Sequence, residues 1–194
     1  EELCCNGTFV EFGARNGINH SNTYAYEKYL GWTGLLFEVD DREFKSLKGN
    51  RPKSQAIYGP VCPSSMSEIS ILIGDILGWT GSETSYEPSR LNKTKEAQVF
   101  KCHHLAEELK KHKMHKIDYM TIDTEGSEID IIEDFPWKDF DVNVVQIEQL
   151  NEILFPAQKG KKDKIVSIME AAGYDLLHVY KVANSTDDLM FVRN

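Results

Sequence analysis

The stretch IDYMTIDTEGSEIDII, from Ile117 to Ile132, decides the fold of this chain. Its first half is a mostly apolar run typical of a buried strand, and its second half has the apolar spacing of a helix. Gly126 predicts a tight turn between the two, and Ser127 predicts the N-cap of the helix. A strand that leads directly into a helix is the repeating unit of an α/β protein.

Two carboxylates stand where this strand ends. Asp123 and Glu125 follow Ile122, the last apolar residue of the run. In an open α/β sheet, ligands bind in the crevice at the carboxyl ends of the strands. We therefore expect both side chains to face a ligand-binding crevice.

Strand and helix patterns alternate along the rest of the chain, which is typical of a mostly parallel sheet. The predicted strands are Thr8–Phe12, Leu35–Val39, Gln55–Tyr58, Glu68–Ile73, Ile117–Asp123, Val142–Glu148, Tyr174–Tyr180 and Leu189–Val192. The predicted helices are Ser21–Leu30, Asp40–Leu47, Leu105–His112, Ser127–Asp134 and Asp163–Ala172. Ser21 caps the first helix and Gly31 ends it. The last two strands form an antiparallel hairpin, and Gly78–Asn92 is a polar loop.

The composition describes one acidic globular domain. With 194 residues and 41% hydrophobic content, the chain can bury a single core, so we expect one domain over residues 1–194. It does not begin with Met, and we expect it to be excised from or processed out of a longer protein. A net charge of -9 argues against a nucleic-acid partner. The chain has no apolar run of about 18 residues, so no membrane insertion is expected within this segment.

Cysteines and glycosylation sequons bear on the chemistry of the surroundings. The four cysteines lack the spacing of a zinc site, and Cys62 and Cys102 are predicted to be small buried apolar groups. Asn-X-Ser/Thr sequons, of which chance predicts roughly one, occur at Asn6, Asn19, Asn92 and Asn184. Asn19 lies in a loop that is expected to hold a ligand, so its sequon is predicted to be unused.

A glycine-rich turn and an acid predict a nucleoside site. The segment FVEFGARNG places Gly13 and Gly17 after the first strand, where glycine lets the backbone approach a ligand closely. Glu38 ends the second strand, where a carboxylate can accept hydrogen bonds from both hydroxyls of a ribose. Alone, each feature also fits a structural turn or a surface acid, and the glycine spacing differs from the GxGxxG dinucleotide motif. Together they favour a nucleoside-bearing ligand.

Four segments carry a family resemblance: FVEFGARNGINHSNTYAYEKYLGWTGLLFEVD, YGPVC, IDYMTIDTEGSEIDII and DDLMFVR. In this order they resemble the FkbM-type methyltransferases, including the branch related to the insect Star protein. The resemblance implies an α/β, Rossmann-like class I methyltransferase fold with helices on both faces of a mostly parallel seven-stranded sheet, whose C-terminal strand is antiparallel. It also implies S-adenosyl-L-methionine (SAM) as cofactor and methyl transfer to a hydroxyl, with a sugar or glycan as the expected acceptor.

The resemblance also assigns a cofactor site. The expected SAM-binding residues are Glu11, Gly13, Ala14, Arg15, Asn16, Gly17, Ser21, Asn22, Glu38, Val39, Asp123 and Glu125. Within this set, the glycine loop holds the methionine end, Glu38 holds the ribose, and the last two acids lie beside the transferred methyl group. The family commonly has Asp at position 11, Asn at position 15 and Pro at position 39. Arg15 therefore places a large cation in the cofactor loop.

Two chemical roles are open for the acids. Methylation of a hydroxyl requires in-line approach and removal of its proton, so Asp123, Glu125 and Glu148 are candidates for the general base. Alternatively, Asp123, Glu148 and Gln149 hold Mg²⁺ or Ca²⁺, which lowers the pKa of the acceptor hydroxyl. Both hypotheses assume that the strands ending at Asp123 and Glu148 are neighbours.

Other functions and the compartment also stay open. The chain can instead be a non-catalytic module that keeps the fold and serves partner binding or trafficking. A dehydrogenase is a weaker alternative, because the GxGxxG motif is absent. The expected partner is a carbohydrate or another hydroxylated acceptor. SAM supply favours the cytoplasm and the sequons favour the secretory route, and the balance slightly favours the cytoplasm.

Overall fold

The computed structural model describes residues 5–74, 80–82, 94–153, 155–182 and 186–194. The strands are β1 (Thr8–Phe12), β2 (Thr33–Glu38), β3 (Gln55–Tyr58), β4 (Glu68–Gly74), β5 (Thr80–Ser82), β6 (Thr94–Lys101), β7 (Lys116–Ile122), β8 (Asp141–Leu150), β9 (Tyr174–Lys181) and β10 (Thr186–Arg193). The α-helices are α1 (Tyr24–Leu30), α2 (Asp41–Asn50), α3 (Leu105–Lys111), α4 (Glu128–Asp134) and α5 (Lys161–Ala171). Among these described helices, none is long and apolar enough to cross a lipid bilayer.

Seven strands form the main sheet in the order β3-β2-β1-β7-β8-β10-β9. Parallel pairing joins β3, β2, β1, β7 and β8, whereas β10 pairs antiparallel with both β8 and β9. The predicted mostly parallel seven-stranded sheet with an antiparallel C-terminal strand is confirmed. The chain runs from β1 outward to β3 on one side and resumes at β7 on the other side. The order therefore reverses between β1 and β7, and such a switch point is where α/β sheets bind ligands.

Helices cover both faces of this sheet. Successive residues of a strand point to opposite faces, so each strand contributes side chains to two cores. Phe9 of β1 packs in a core with Leu47 of α2. The side chains of Val10 and Phe12 lie on the opposite face from Phe9. They pack in a larger core that includes residues of α3, α4 and α5, such as Leu109. Both cores consist of fully or nearly fully buried side chains. Packed cores on both faces thus support the sheet and hold the ends of its strands in position.

A second, smaller sheet lies between β3 and α3 in the sequence. It is antiparallel, with β4 paired to both β5 and β6. The prediction of a loop over Gly78–Asn92 is wrong for Thr80–Ser82, which form β5. The other residues of that range lie outside the described residues. The sequence also gave no prediction of β6. Its segment TKEAQVFK has no clear alternation of polar and apolar residues, since the apolar Val99 and Phe100 are adjacent. In the structure Val99 is 71% exposed and Phe100 is buried.

A disulfide closes the neck of this second sheet. Cys62 and Cys102 form a disulfide bond with their Cα atoms 5.5 Å apart. The Cys62 amide donates to the His103 carbonyl at 3.0 Å, so the chain leaves and re-enters the main domain at one place. The burial predicted for Cys62 is confirmed, but the prediction of two apolar thiols is wrong. The pairing arises from tertiary structure, because the two cysteines are 40 positions apart in the sequence.

Two predicted helix caps differ from the structure. α1 begins at Tyr24 and not at Ser21, but the Ser21 hydroxyl still accepts from the Tyr24 amide at 3.1 Å while it donates to Glu11 at 2.9 Å. Gly31 ends α1 in the left-handed conformation, as predicted. Ser127 stands at the N-cap position of α4 but its side chain makes no capping hydrogen bond.

Candidate active site

A cavity of about 230 Å³ opens at the carboxyl ends of β1, β2, β7 and β8, at the switch point of the sheet. Seven residues predicted from the sequence line it, namely Gly13, Arg15, Glu38, Val39, Asp123, Glu125 and Glu148. The apolar part of its wall is formed by Phe12, Phe37, Pro60, Val61, Ile69 and Ile71. The last two belong to β4, so the second sheet forms one side of the cavity. No local pattern in the sequence predicted this contribution.

Gly13 brings the loop after β1 into contact with β7. Its φ is +71°, and a Cβ atom at this position would lie 2.3 Å from the carbonyl oxygen of Asp123. The next amide, that of Ala14, donates to the Phe37 carbonyl at 3.0 Å, while the Ala14 side chain is buried beneath the loop. The loop is therefore clamped between β7 and β2, and only glycine fits at its first position.

Glu38 is buried at the end of β2 and is held by backbone amides. Its Oε1 accepts from the amides of Val39 and Asp40 at 2.7 and 2.6 Å, and its Oε2 accepts from the Arg15 amide at 2.7 Å. Burial outweighs these hydrogen bonds and raises the pKa of Glu38 to about 7. A carboxylate offers about four acceptor sites, so the remaining capacity lies on Oε2. Glu38 can thus accept one ribose hydroxyl directly, where the sequence predicted two.

Glu11 does not line the cavity, although it lies on the neighbouring strand. It faces the side of the sheet that α1 and α2 cover and is 1% exposed. It accepts from the Ser21 hydroxyl at 2.9 Å, from the Asn22 amide at 2.7 Å and from the Thr23 hydroxyl. Burial raises the pKa of Glu11. Its contacts with Ser21, Asn22 and Thr23 fix the segment that follows the Gly13–Gly17 loop.

Arg51 is a buried partner of this cluster and was not predicted from the sequence. Its guanidinium lies 3.7 Å from Glu11 and donates to Glu27 at 2.9 Å and to the Gly17 carbonyl at 3.2 Å. A Cβ atom on Gly17 would lie 2.5 Å from the Arg51 Cγ, so the loop rests directly on this side chain. A lone arginine between a helix and a strand carries no sequence signal for such a role.

Two other predicted residues also point away from the cavity. The Asn16 side chain accepts from the amides of Ile18 and Asn19 at 3.0 and 2.9 Å and so closes a turn. Gln149 is buried, and its amide group donates to the Leu150 carbonyl at 2.7 Å. Because side chains alternate along a strand, Gln149 lies on the opposite face from Glu148. It does not belong to the acidic group at the cavity.

Asp123, Glu125 and Glu148 form that acidic group. Each offers one oxygen, and the three oxygens lie within 4.8 Å of one another. Burial raises the pKa of Asp123, and a hydrogen bond from Glu148 opposes this rise. Burial and the charge of Asp123 raise the pKa of Glu148 strongly. Two carboxyl groups this close share one proton, and these shifts place it on Glu148, which donates it to the Asp123 carboxylate.

The loop that carries Glu125 is held by Glu128, the second glutamate of the TEGSE segment. Its Oε1 accepts from the Thr124 amide at 3.0 Å, from the Thr124 hydroxyl at 2.9 Å and from the Gly126 amide at 2.9 Å. Glu125 itself is in the left-handed conformation, with φ at 58°. Lys161 of α5 donates to the Gly126 carbonyl at 3.0 Å. Glu128 therefore holds the loop between β7 and α4 through the amides of Thr124 and Gly126, which precede the helix.

Arg15 lies at the end of the cavity that Glu38 lines. Its backbone is left-handed, with φ at 49°, and its guanidinium is 3.9 Å from Glu43. Its Nε is buried and has no hydrogen-bond partner among the described residues. His20 stands at the rim on the exposed part of the same loop. The cation predicted for this loop thus lines the cavity beside Glu38.

Solved structures of methyltransferases share this architecture. Fibrillarin from Aeropyrum pernix, with natively bound SAM, aligns with a TM-score of 0.58 and 9% identity over 97% of this chain and 67% of its own. A precorrin-6y C5,15-methyltransferase from Geobacter metallireducens aligns with a TM-score of 0.56 and 11% identity over 100% of this chain and 83% of its own. The N-terminal domain of human METTL16, in complex with S-adenosylhomocysteine (SAH), aligns with a TM-score of 0.52 and 13% identity over 97% of this chain and 62% of its own. The chain therefore has the class I methyltransferase fold.

Sequence comparison gives the family more directly. No curated protein sequence matches this chain. The model of the methyltransferase FkbM domain matches residues 11–176, which run from the acid of β1 through the whole cavity to β9. The matched range contains every residue that lines the cavity. The chain thus belongs to the methyltransferase FkbM domain family.

Proposed function

We propose that this domain is a SAM-dependent O-methyltransferase that methylates a hydroxyl of a sugar or glycan. The observation that carries the proposal is the position of the Asp123–Glu148 pair. It lies in one cavity with Glu38 and the Gly13 turn, at the switch point of a methyltransferase fold. A proton acceptor thus stands beside a site with the features that a nucleoside needs.

The residues present fit SAM as the cofactor. The structures with SAM and SAH described above have the same fold. Here, the Gly13 turn lets the backbone come close to a ligand, and Glu38 keeps acceptor capacity on Oε2 for a ribose hydroxyl. When bound, SAM supplies the methyl group on a cationic sulfur that leaves readily.

The acidic pair supplies the proton acceptor. Glu148 holds the shared proton and donates it to one oxygen of Asp123, which keeps Asp123 ionised and oriented. The other oxygen can accept the proton of the acceptor hydroxyl as its oxygen forms the new bond to carbon. A raised pKa suits this role, because a general base works best when its pKa lies near the operating pH. Glu125 adds negative charge beside the pair.

The walls of the cavity support a carbohydrate acceptor. Ile69 and Ile71 of β4 form an apolar wall, and the three carboxylates stand at the same cavity. Sugars present apolar C–H faces and many hydroxyl donors, so they match a site with both features. A screen of mono- and oligosaccharides with radiolabelled SAM tests this class directly. Transfer to saccharides, and not to the same saccharides with blocked hydroxyls, is the expected outcome.

Replacing Glu38 by Ala is expected to weaken SAM binding by about 10- to 100-fold, because it removes a hydrogen bond to a charged acceptor. Isothermal titration calorimetry with SAM and SAH measures the effect, and the unaltered protein is expected to bind with an affinity on the order of -8 kcal/mol. The exposed Glu170 of α5 provides the control, and Glu170→Ala should bind normally. Equal affinities for the unaltered and Glu38→Ala proteins would contradict the assignment of the ribose site.

The affinity for SAM should rise as pH increases through about 7, the pKa of Glu38. Below that pH the protonated carboxyl loses acceptor capacity for the ribose. The stability of the unliganded protein should change in the opposite direction. A buried acid with a raised pKa contributes stability below its unfolded pKa and loses it as pH rises through the folded pKa. Glu38→Gln should flatten the binding profile, and a profile that stays steep would assign the dependence to another group.

The non-catalytic interpretation makes the opposite prediction. A module that keeps the fold for partner binding needs no cofactor, and the cavity would then bind neither SAM nor SAH. Intact Gly13, Glu38 and Asp123 at one cavity favour the enzyme. If calorimetry detects no heat of binding for either compound with folded protein, the module interpretation replaces the proposal.

A further inference from the structure

The disulfide has a consequence for the compartment in which this domain folds. Cys62 is 4% exposed, and the bond closes the neck between the main domain and the β4–β6 sheet. Backbone hydrogen bonds hold both sides of this neck, since Cys62 donates to His103 and Cys102 donates to Ser67 at 2.9 Å. The fold therefore places the two sulfurs together. Structural disulfides form and persist in oxidising compartments and are rare in the cytosol.

The sequon Asn6-Gly7-Thr8 provides a second, independent observation. Asn6 is exposed, and its backbone is fixed by a hydrogen bond from its amide to the Leu30 carbonyl at 3.1 Å. Gly7 packs on the Trp32 ring, where a Cβ atom would come within 2.4 Å. The Thr8 hydroxyl donates to the Lys116 carbonyl at 2.7 Å. The asparagine thus projects from an ordered turn at the protein surface.

The position of Asn6 in the sheet leaves the active site open. It precedes β1, and its neighbour Thr8 contacts the first residue of β7. The cavity lies at the other ends of the same strands, and a strand of five residues separates the two edges by roughly 15 Å. Asn19, the other described sequon asparagine, is also exposed but stands next to His20 at the cavity rim. A glycan on Asn19 would stand at the mouth of the cavity.

We infer that Asn6 carries an N-linked glycan and that this domain matures in an oxidising compartment of the secretory route. Glycosylation at Asn-X-Ser/Thr and formation of structural disulfides occur in the same compartment, so the two observations support one another. This inference replaces the cytoplasmic expectation drawn from the sequence. It does not depend on the proposed function. If both hold, SAM must reach that compartment, where glycans are abundant acceptors.

The test uses the full protein, with whatever precedes and follows these 194 residues, expressed in eukaryotic cells. Free thiols are blocked at lysis, and non-reduced peptides are analysed by mass spectrometry before and after enzymatic removal of N-glycans. We expect a Cys62–Cys102 peptide in the non-reduced sample. We also expect deamidation of Asn6 that depends on the deglycosylating enzyme. Neither readout requires a variant or involves methyl transfer.

A pair of variants assigns the glycan. Asn6→Gln should increase the electrophoretic mobility of the protein by the same amount that removal of one N-glycan by the deglycosylating enzyme does. Asn19→Gln should leave the mobility of the glycosylated protein unchanged. An unmodified Asn6 overturns the glycan assignment, even if the disulfide is present. Alkylated Cys62 and Cys102 in the same sample overturn the assignment of the compartment. Failure of SAM binding would contradict the proposed function and leave these results unchanged, so the two hypotheses fail separately.

Discussion

Replacing Asp123 by Asn is expected to reduce the rate of methyl transfer by about 10²- to 10⁴-fold, the usual contribution of a general base. The variant keeps the size of the side chain, and the atoms of position 123 that lie against Gly13 are its backbone carbonyl and its Cβ, which Asn retains. The loss should therefore appear in kcat, with SAM affinity changed by less than about 10-fold. The assay uses the saccharide acceptor identified in the screen, and calorimetry checks the cofactor site. An Asp123→Asn enzyme with normal kcat would assign the proton transfer to another group.

Glu148→Gln is the matched variant, and its expected effect is small. Glutamine resembles the protonated carboxyl that Glu148 presents to Asp123, because it still offers a hydrogen-bond donor. We expect kcat to fall by less than about 10-fold. The cation mechanism predicts the opposite result. If Asp123 and Glu148 bind Mg²⁺ or Ca²⁺, the substitution removes a ligand, and chelation abolishes activity that the ion then restores. The two variants and one chelator thus separate the mechanisms.

The same variant has a stability signature that needs no acceptor. Because its folded pKa is raised, Glu148 contributes stability that is fully present below the unfolded pKa and is lost as pH rises through the folded pKa. Gln cannot titrate, so Glu148→Gln should exceed the unaltered protein in Tm near pH 8 and match it near pH 4. Each kcal/mol is worth about 2–4 °C in a chain of this size. A Tm difference that does not change with pH would contradict the shared proton.

Removing the Cys62–Cys102 disulfide is the second large effect. The two cysteines are separated by 40 positions, and closing a loop of this length is worth about 4 kcal/mol in the chain-entropy model. For a domain of this size, the loss lowers Tm by about 8–16 °C. The β4–β6 sheet carries Ile69 and Ile71, so we also expect weaker binding of the saccharide acceptor. SAM affinity should change less, because Gly13 and Glu38 lie on the main sheet.

The measurement compares the Cys62→Ser/Cys102→Ser protein with the unaltered one by thermal unfolding, with and without a reducing agent. Cys5→Ser is the control, since Cys5 is an exposed free thiol and its loss should leave Tm unchanged. The reducing agent should lower the Tm of the unaltered and control proteins toward that of the double variant. A double variant within about 2 °C of the unaltered protein would show that strand pairing alone holds the neck.

The strand tips were the part of the site that could be predicted. Gly13, Glu38 and Asp123 each follow an apolar run, and parallel strands bring their carboxyl ends to one edge of a sheet. Local pattern was therefore sufficient to place them at the cavity. The same pattern was insufficient for Glu11, which stands one residue before the end of β1 and faces the other side. A single step along a strand reverses the direction of a side chain.

The contacts that support the site could not be predicted. Arg51 lies 34 positions from the Gly17 carbonyl that it binds, and nothing in its surroundings in the sequence distinguishes it from a surface arginine. Glu128 was visible in the TEGSE segment, but its carboxylate caps the amides of its own loop, which depends on the backbone geometry around Glu125. The β4–β6 sheet was missed in part because one of its strands is largely exposed.

The sequence by itself determined the α/β class, the family and the edge of the sheet at which the cavity lies. These follow from apolar periodicity and from motifs contained within a few residues. Only the tertiary structure decided that the carboxyl groups of Asp123 and Glu148 lie together, that Arg51 supports the Gly13–Gly17 loop and that Cys62 is bonded to Cys102. Each of these is a contact between segments distant in the chain. Proton sharing, burial and disulfide bonding depend on distances in space, which the folded sheet sets and local sequence does not.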